Sequence, residues 1–319
     1  MKGTLLRLTI SLAFIGLLIY LMRDTFPDIL TVLRNINRPL CALSVAIFLS
    51  TVFILAKRLQ LIFAAEDVRL PLLESSNLTF VGYFFNNFLP TAVGGDIVKA
   101  MCAARLTGER VKSVTSVLLD RLFGLFTFII IPSVSFLFMT DKIRSRWVPV
   151  IIYSFLAVSM LCFVFLFNRR VARRFRFLEK ILTRLKLAEQ IRRIYDGMHN
   201  FKNHKGVVAE AMFLSLVGQS VSIFVLYCLA LALGAKANIV YFYLLVPIVH
   251  LVSMLPSLNG LGIREGAYTF FLKPYIGAHY AFALGILWLG LLLLLSLIGG
   301  LIYMVRHDYH IRLKGTAPA

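Results

Sequence analysis

Asn86-Asn87-Phe88-Leu89-Pro90-Thr91-Ala92-Val93-Gly94-Gly95-Asp96-Ile97-Val98-Lys99-Ala100 ends one apolar run, residues 78–89, and opens a second, shorter one. Proline stops a helix because it has no amide donor and crowds the preceding turn, and the glycines that follow free the backbone to change direction. The device recurs at Met254-Leu255-Pro256-Ser257-Leu258-Asn259-Gly260-Leu261-Gly262-Ile263-Arg264-Glu265, where the run 240–255 stops at Pro256 and a glycine again stands four residues after the proline. A straight helix needs about 20 apolar residues to cross a bilayer, and neither run supplies them. The pattern predicts two helix-break-helix hairpins, each entering and leaving on one side, with a proline-kinked full span as the competing reading for either.

Around these breaks lie six longer apolar stretches, residues 4–22, 39–56, 113–139, 148–167, 206–233 and 278–305. Of the 319 residues 59% are hydrophobic and 15% charged, with 27 Phe and a mean hydropathy of +0.84. A soluble fold would leave too much of that content facing water. The expectation is an all-α integral membrane protein with about six spanning helices plus two re-entrant, broken hairpins. Lys2 and Arg7 give the first segment a signal-like start, but no small-residue cleavage site precedes Arg23-Asp24, so it reads as a retained anchor. Cys41, Cys102, Cys162 and Cys228 lie far apart and suggest neither a disulfide framework nor a zinc site.

The 34 Lys and Arg against 15 Asp and Glu give a net charge of +19. In a soluble chain that would suggest nucleic acid; here the basic residues sit between apolar stretches and carry topology instead, so no nucleic-acid partner is expected. The segment 168–205 holds twelve of them and is placed in the cytoplasm. Carrying that assignment along the chain predicts a multi-pass protein of the plasma (inner) membrane with both termini cytoplasmic. It puts 23 basic residues inside, Lys57 and Arg58 among them, and 8 outside, and leaves Lys99, Arg121 and Arg264 at membrane depth. Within 168–205, Val171, Phe175, Leu178, Leu182, Leu185 and Tyr195 form an apolar stripe, read as an interfacial helix on anionic lipid or as a solvated connector. With this sidedness the first hairpin enters from the cytoplasm and the second from outside. The 1–319 polytopic domain then divides into repeat A (1–140) and repeat B (148–305), inverted relative to one another, an arrangement that puts substrate near the midplane.

Ionisable residues at that depth cost about 2.5–3.5 kcal/mol each and need a reason to be there. The candidates are Asp96 and Lys99 at the first break, Asp120 and Arg121 in the third span, and Arg264 and Glu265 at the second break. Three acids and three bases can neutralise one another in the empty protein, either to fix the hairpins or to exchange partners with a ligand. Gly94 and Gly95 open a helical run over 97–105 and form a candidate anion site. Asp96 there is either its N-cap alone or a cap that also gates a ligand. Asn259, Gly260 and Gly262 do the same for a run beginning near Ile263, and Asn86, Asn87 and Pro90 complete the first break. No dinucleotide fingerprint, Walker loop, Ser/His/Asp set or metal-ligand spacing is present, so neither a cofactor nor a metal nor a catalytic residue is expected.

At NNFLPTAVGGDIVKA (86–100), LLDRLFGL (118–125) and LPSLNGLGIREGAY (255–268) the chain resembles the flippase-like membrane domain of lysylphosphatidylglycerol synthases. That family also takes in stand-alone inner-membrane proteins and the membrane portions of some archaeal polyprenyl-phosphate sugar transferases. The resemblance implies two repeats and translocation of a membrane phospholipid or a polyprenyl-phosphate-linked lipid. It places Asn87, Pro90, Gly95, Asp96, Asp120, Arg121, Pro256, Gly262 and Glu265 at motif positions, and Lys99 where the pattern has Arg. The synthases carry a soluble aminoacyl-transferase domain, and here the chain ends about ten residues after the last span; lysyl transfer is therefore not expected. The leading expectation is an ATP-independent flippase or scramblase. A transferase acting on polyprenyl-phosphate lipid and a subunit that recruits a soluble synthase are the alternatives.

Overall fold

The structure is a computed structural model that describes residues 16, 26–89, 93–138, 150, 153–154, 156–157, 201, 204–255 and 260–309. Nearly all of the expected spans 4–22 and 148–167 and of the basic segment 168–205, together with Pro90 and Asn259, lie outside the described residues. Among those described there are nine α-helices and no strand: α1 (Phe26–Arg34), α2 (Arg38–Ala65), α3 (Leu72–Phe88), α4 (Gly94–Thr107), α5 (Arg110–Leu137), α6 (Lys205–Ala232), α7 (Ile239–Val252), α8 (Ile263–Ile276) and α9 (Ala278–Val305), followed by a single 3-10 turn, His307–Tyr309. The protein is an all-α integral membrane protein.

Helices α2, α5, α6 and α9 are each 28 residues, about 42 Å at 1.5 Å per residue, and are long and apolar enough to cross a membrane. They occupy four of the six expected stretches. The two interrupted segments form as helix, break, helix: α3 (17 residues) leads through the first break to α4 (14 residues), and α7 (14 residues) leads through the second to α8 (14 residues). The arms of each unit pack on one another. Exchanging α2 with α6, α3 with α7, α4 with α8 and α5 with α9 turns the packing pattern of these eight helices into itself. Thus α3 packs on α9 as α7 packs on α5, α4 packs on α5 as α8 packs on α9, and α2 and α6 pack on each other. The two halves are matched in neighbours, and in helix length for every pair but α3 and α7.

Two expectations about charge and loops are corrected. Lys57 and Arg58 do not end a span at residue 56, because α2 continues to Ala65. Adjacent residues on a helix point about 100° apart, so Lys57 faces outward, bonded to Gln60 at 3.1 Å, while Arg58 turns into the protein and is 6% exposed. The interval after residue 23 was expected as an outer loop, yet it contains α1. Ile29, Val32, Leu33 and Ile36 recur at helical spacing there, and Ile29 is buried in the main core against α9. At the other end, Glu74 at the start of α3 accepts bonds from Arg306 and the Tyr309 hydroxyl, and the Cys102 thiol of α4 donates to the Tyr309 carbonyl at 3.5 Å. The turn after α9 thereby ties both arms of the first helix-break-helix unit.

Candidate functional site

The first break is closed by an amide. Gly95 N–H donates to Asn86 Oδ1 at 2.9 Å, joining the start of α4 to the last turn of α3. Only glycine fits there: a Cβ on residue 95 would overlap the Gly82 carbonyl oxygen and lie 2.6 Å from the Asn86 amide carbon. This corrects the expectation that the Gly94-Gly95 amides stand open to an anion, since the Gly95 amide is taken. It also corrects the capping role of Asp96. The N-cap is Val93, Asp96 sits in the first turn of α4, and its carboxylate pairs with Arg121 of α5. Asn87 points elsewhere, donating from Nδ2 to the Leu292 carbonyl of α9 at 3.2 Å.

Beside this pair lies a second, buried cluster. Asp120 accepts from Arg58 Nε at 2.7 Å through one oxygen and from Lys99 Nζ at 2.9 Å through the other, and Arg58 Nη1 also donates to Ser215 Oγ at 2.8 Å. One carboxylate thus joins α2, α4, α5 and α6. Arg58, Lys99 and Asp120 are 6%, 5% and 5% exposed, so two cations share one anion away from water.

At the second break, Gly260 and Gly262 have φ of +75° and +82°, the left-handed region that a side chain resists. Gly262 is the N-cap of α8, and its N–H donates to Glu265 Oε2 at 2.7 Å, the carboxylate half of a capping box. The other oxygen of Glu265 accepts from Arg264 Nη2 at 2.8 Å and Nε at 3.1 Å. Glu265 therefore holds the helix start and aims Arg264.

The two breaks meet at one cavity of about 350 Å³. It is lined by Asn86, Asp96, Lys99, Asp120 and Arg121 from the first half and by Gly260 and Arg264 from the second, all sequence candidates. Gly94, Gly95, Asn87, Gly262 and Glu265 stand behind the lining and shape it. Among the described residues the charged set is four cations, Arg58, Lys99, Arg121 and Arg264, against three carboxylates, Asp96, Asp120 and Glu265. The expected balance of three against three is corrected by Arg58, and one positive charge remains.

The apolar wall opposite also carries groups that the sequence reading passed over. His250 stacks on Trp288 with ring centroids 5.6 Å apart, meets Phe128 edge-on, and bonds Tyr268 Oη at 3.1 Å through Nε2. Gln219 approaches its other ring nitrogen at 3.5 Å. A signal for Gln219, and for Arg58, was present. Ser44, Thr51 and Arg58 recur every seven residues on α2, Ser113, Ser116, Asp120 and Thr127 mark one face of α5, and Ser215, Gln219 and Ser222 mark one face of α6. A polar stripe on an otherwise apolar helix identifies the side turned away from lipid. Among the described residues no group of three or more His, Cys, Asp or Glu could hold a metal ion.

A cavity built in this way can receive a small anionic group and surround it with fixed cations. No solved structure matches the chain. The UPF0104 membrane protein of Methanothermobacter thermautotrophicus is 27% identical over 306 residues, covering 87% of this chain and 87% of that protein. Residues 5–300 match the family described as the lysylphosphatidylglycerol synthase TM region. That match takes in both breaks and every charged residue of the cavity, and the chain belongs to this family of membrane proteins.

Proposed function

We propose that the protein translocates a lipid, or a lipid-linked substrate with a phosphate-bearing headgroup, across the plasma membrane as an ATP-independent flippase or scramblase, without chemical conversion. The observation that carries the proposal is the buried two-to-one cluster of Arg58 and Lys99 on Asp120 beside a cavity shared by both breaks. An unbalanced buried charge costs several kcal/mol, about what a bound anion would recover. Arginine and lysine donors around a pocket suit phosphate oxygens.

In this reading the α3–α4 and α7–α8 units are re-entrant hairpins that enter from opposite faces, the repeats are inverted, and both termini are cytoplasmic. The equal lengths of α4 and α8 and the exchange symmetry of the packing support it. The basic segment 168–205 attracts the anionic cytoplasmic surface.

The test is purified full-length protein in vesicles containing a fluorescent phosphatidylglycerol, with a membrane-impermeant reductant quenching the outer leaflet. Without nucleotide, quenching beyond the outer-leaflet fraction is expected, and Arg121→Gln or Arg264→Gln should slow it in protein shown to be inserted. Quenching no deeper than in protein-free vesicles would overturn the proposal.

A further inference from the structure

A second concavity, about 680 Å³, runs between α4 and α5 and shares only Asp96 with the central cavity. Its α4 wall is the apolar stripe Val93, Ile97, Met101 and Ala104, of which Val93, Ile97 and Met101 are exposed at 39%, 55% and 42%. Val114 and Leu118 of α5 form the facing wall. One end is closed by Asp96, bound to Arg121, and the other is flanked by Arg105 and Arg110, both exposed and neither in an ion pair among the described residues. The neighbouring acid, Glu109, is engaged by Lys112 at 3.8 Å.

The dimensions and the charge together specify an occupant. From Val93 to Ala104 the stripe rises about 17 Å at 1.5 Å per residue, close to half of a hydrocarbon core about 30 Å thick. An apolar trough of that length with two arginines at one end matches an acyl chain below a phosphate.

We propose that this groove is a loading site for an anionic glycerophospholipid of the leaflet that Arg105 and Arg110 face. The phosphate sits between the two arginines and one acyl chain lies along α4 as far as Asp96. The Asp96–Arg121 pair separates this lipid from the central cavity, and exchange of that pair for contacts to the headgroup lets it pass. The gating step rests on the translocation reading; the docking site does not.

The test uses full-length protein in phosphatidylcholine vesicles doped with phosphatidylglycerol carrying a photoreactive group in its acyl chain, and crosslinks are mapped by mass spectrometry. Crosslinks are expected on residues 93–104 and 114–118. Substituting Arg105→Gln or Arg110→Gln should each lower labelling by phosphatidylglycerol about fivefold, the equivalent of one basic residue at an anionic phosphate. Labelling by photoreactive phosphatidylcholine should change much less. Ala104→Trp fills the trough and should reduce labelling by both lipids; should it fail to fold, Met101→Trp, at a more exposed position, makes the same test. Crosslinks spread equally over the exposed face of α9 at Leu293, Leu297 and Leu301, or phosphatidylglycerol labelling unchanged in the two arginine variants, would overturn the proposal. Groove labelling in protein that moves no lipid would sink the translocation reading and leave the docking site standing. Translocation with an unlabelled groove would do the reverse.

Discussion

Replacing Asp120 with Asn removes one charge and almost no volume, and it should loosen the centre of the protein. Asp120 is held by Arg58 at 2.7 Å and Lys99 at 2.9 Å, with all three side chains nearly excluded from solvent. Unit charges about 4 Å apart attract by about 4 kcal/mol at an effective dielectric of 20. Desolvation of three ions and repulsion between the two cations oppose this, so the intact cluster contributes little net stability. Without the carboxylate, both cations stay buried and repel, and breaking a buried pair costs about 3–5 kcal/mol. At about 2–4 °C per kcal/mol, the unfolding midpoint in detergent should fall by roughly 10 °C. Fluorescence of Trp288, stacked on His250 at the cavity wall, reports the transition.

Lys99→Met is the contrasting case, because it leaves Arg58 and Asp120 as a neutral pair and should cost far less stability. Combined with Asp120→Asn it should recover part of the loss, giving a coupling well beyond the ~0.5 kcal/mol expected of independent sites. It also removes the excess charge, so affinity for an anionic lipid should fall about tenfold. An Asp120→Asn protein that melts within about 2 °C of the unmodified one, or a Lys99→Met protein equally damaged, would refute the reasoning.

Gly95→Ala should reduce the yield of folded protein severely, because its methyl group would occupy the space of the Gly82 carbonyl and the Asn86 amide; Gly108→Ala, where φ is +74° and a Cβ meets nothing within 4 Å, should cost about 1 kcal/mol in the same melting assay. Glu265→Gln keeps an oxygen for the Gly262 amide but removes the charge that balances Arg264, so it should fold, bind an anionic lipid more tightly and release it more slowly, as read by binding titration and transport rate. In protein freed of its four cysteines, single cysteines at Arg69 and Glu109 should react with an impermeant thiol reagent from the cytoplasmic side, and those at Lys236 and Lys273 from outside. Labelling of Arg69→Cys and Glu109→Cys from opposite sides would make the first unit a kinked span.

Much of the architecture could be read locally. The four long helices follow from runs of apolar residues too long for anything but a spanning helix, and the breaks follow from Pro90 and Pro256 with glycines at matched distance, since proline and glycine act on their own backbone. The polar stripes on α2, α5 and α6 were equally available, because a 3.6-residue period fixes which positions share a face. Asp96, Lys99, Asp120, Arg121 and Arg264, which all line the cavity, were legible as candidates, because an ion in an apolar run needs a compensating partner wherever the chain goes.

Which ion meets which was not legible. Arg58 looked like a residue of the membrane surface, and only the packing of α2 against α6 and α5 turned it onto Asp120 and Ser215, from residues 62 and 157 positions away. That long-range pairing changed a balanced set into one with an excess positive charge. Glu265 was one of three acids expected to pair within the charged set, without a stated partner, and it meets Arg264 and the Gly262 amide, while Asp96, read as a cap, faces Arg121. The trough between α4 and α5 likewise exists only because the packing of these two helices leaves apolar side chains of both lining one concavity. Hydrophobic pattern and backbone punctuation act within a few residues and therefore appear in the sequence itself. The balance of charge in a cavity depends on side chains brought together from four helices, and that is set by packing.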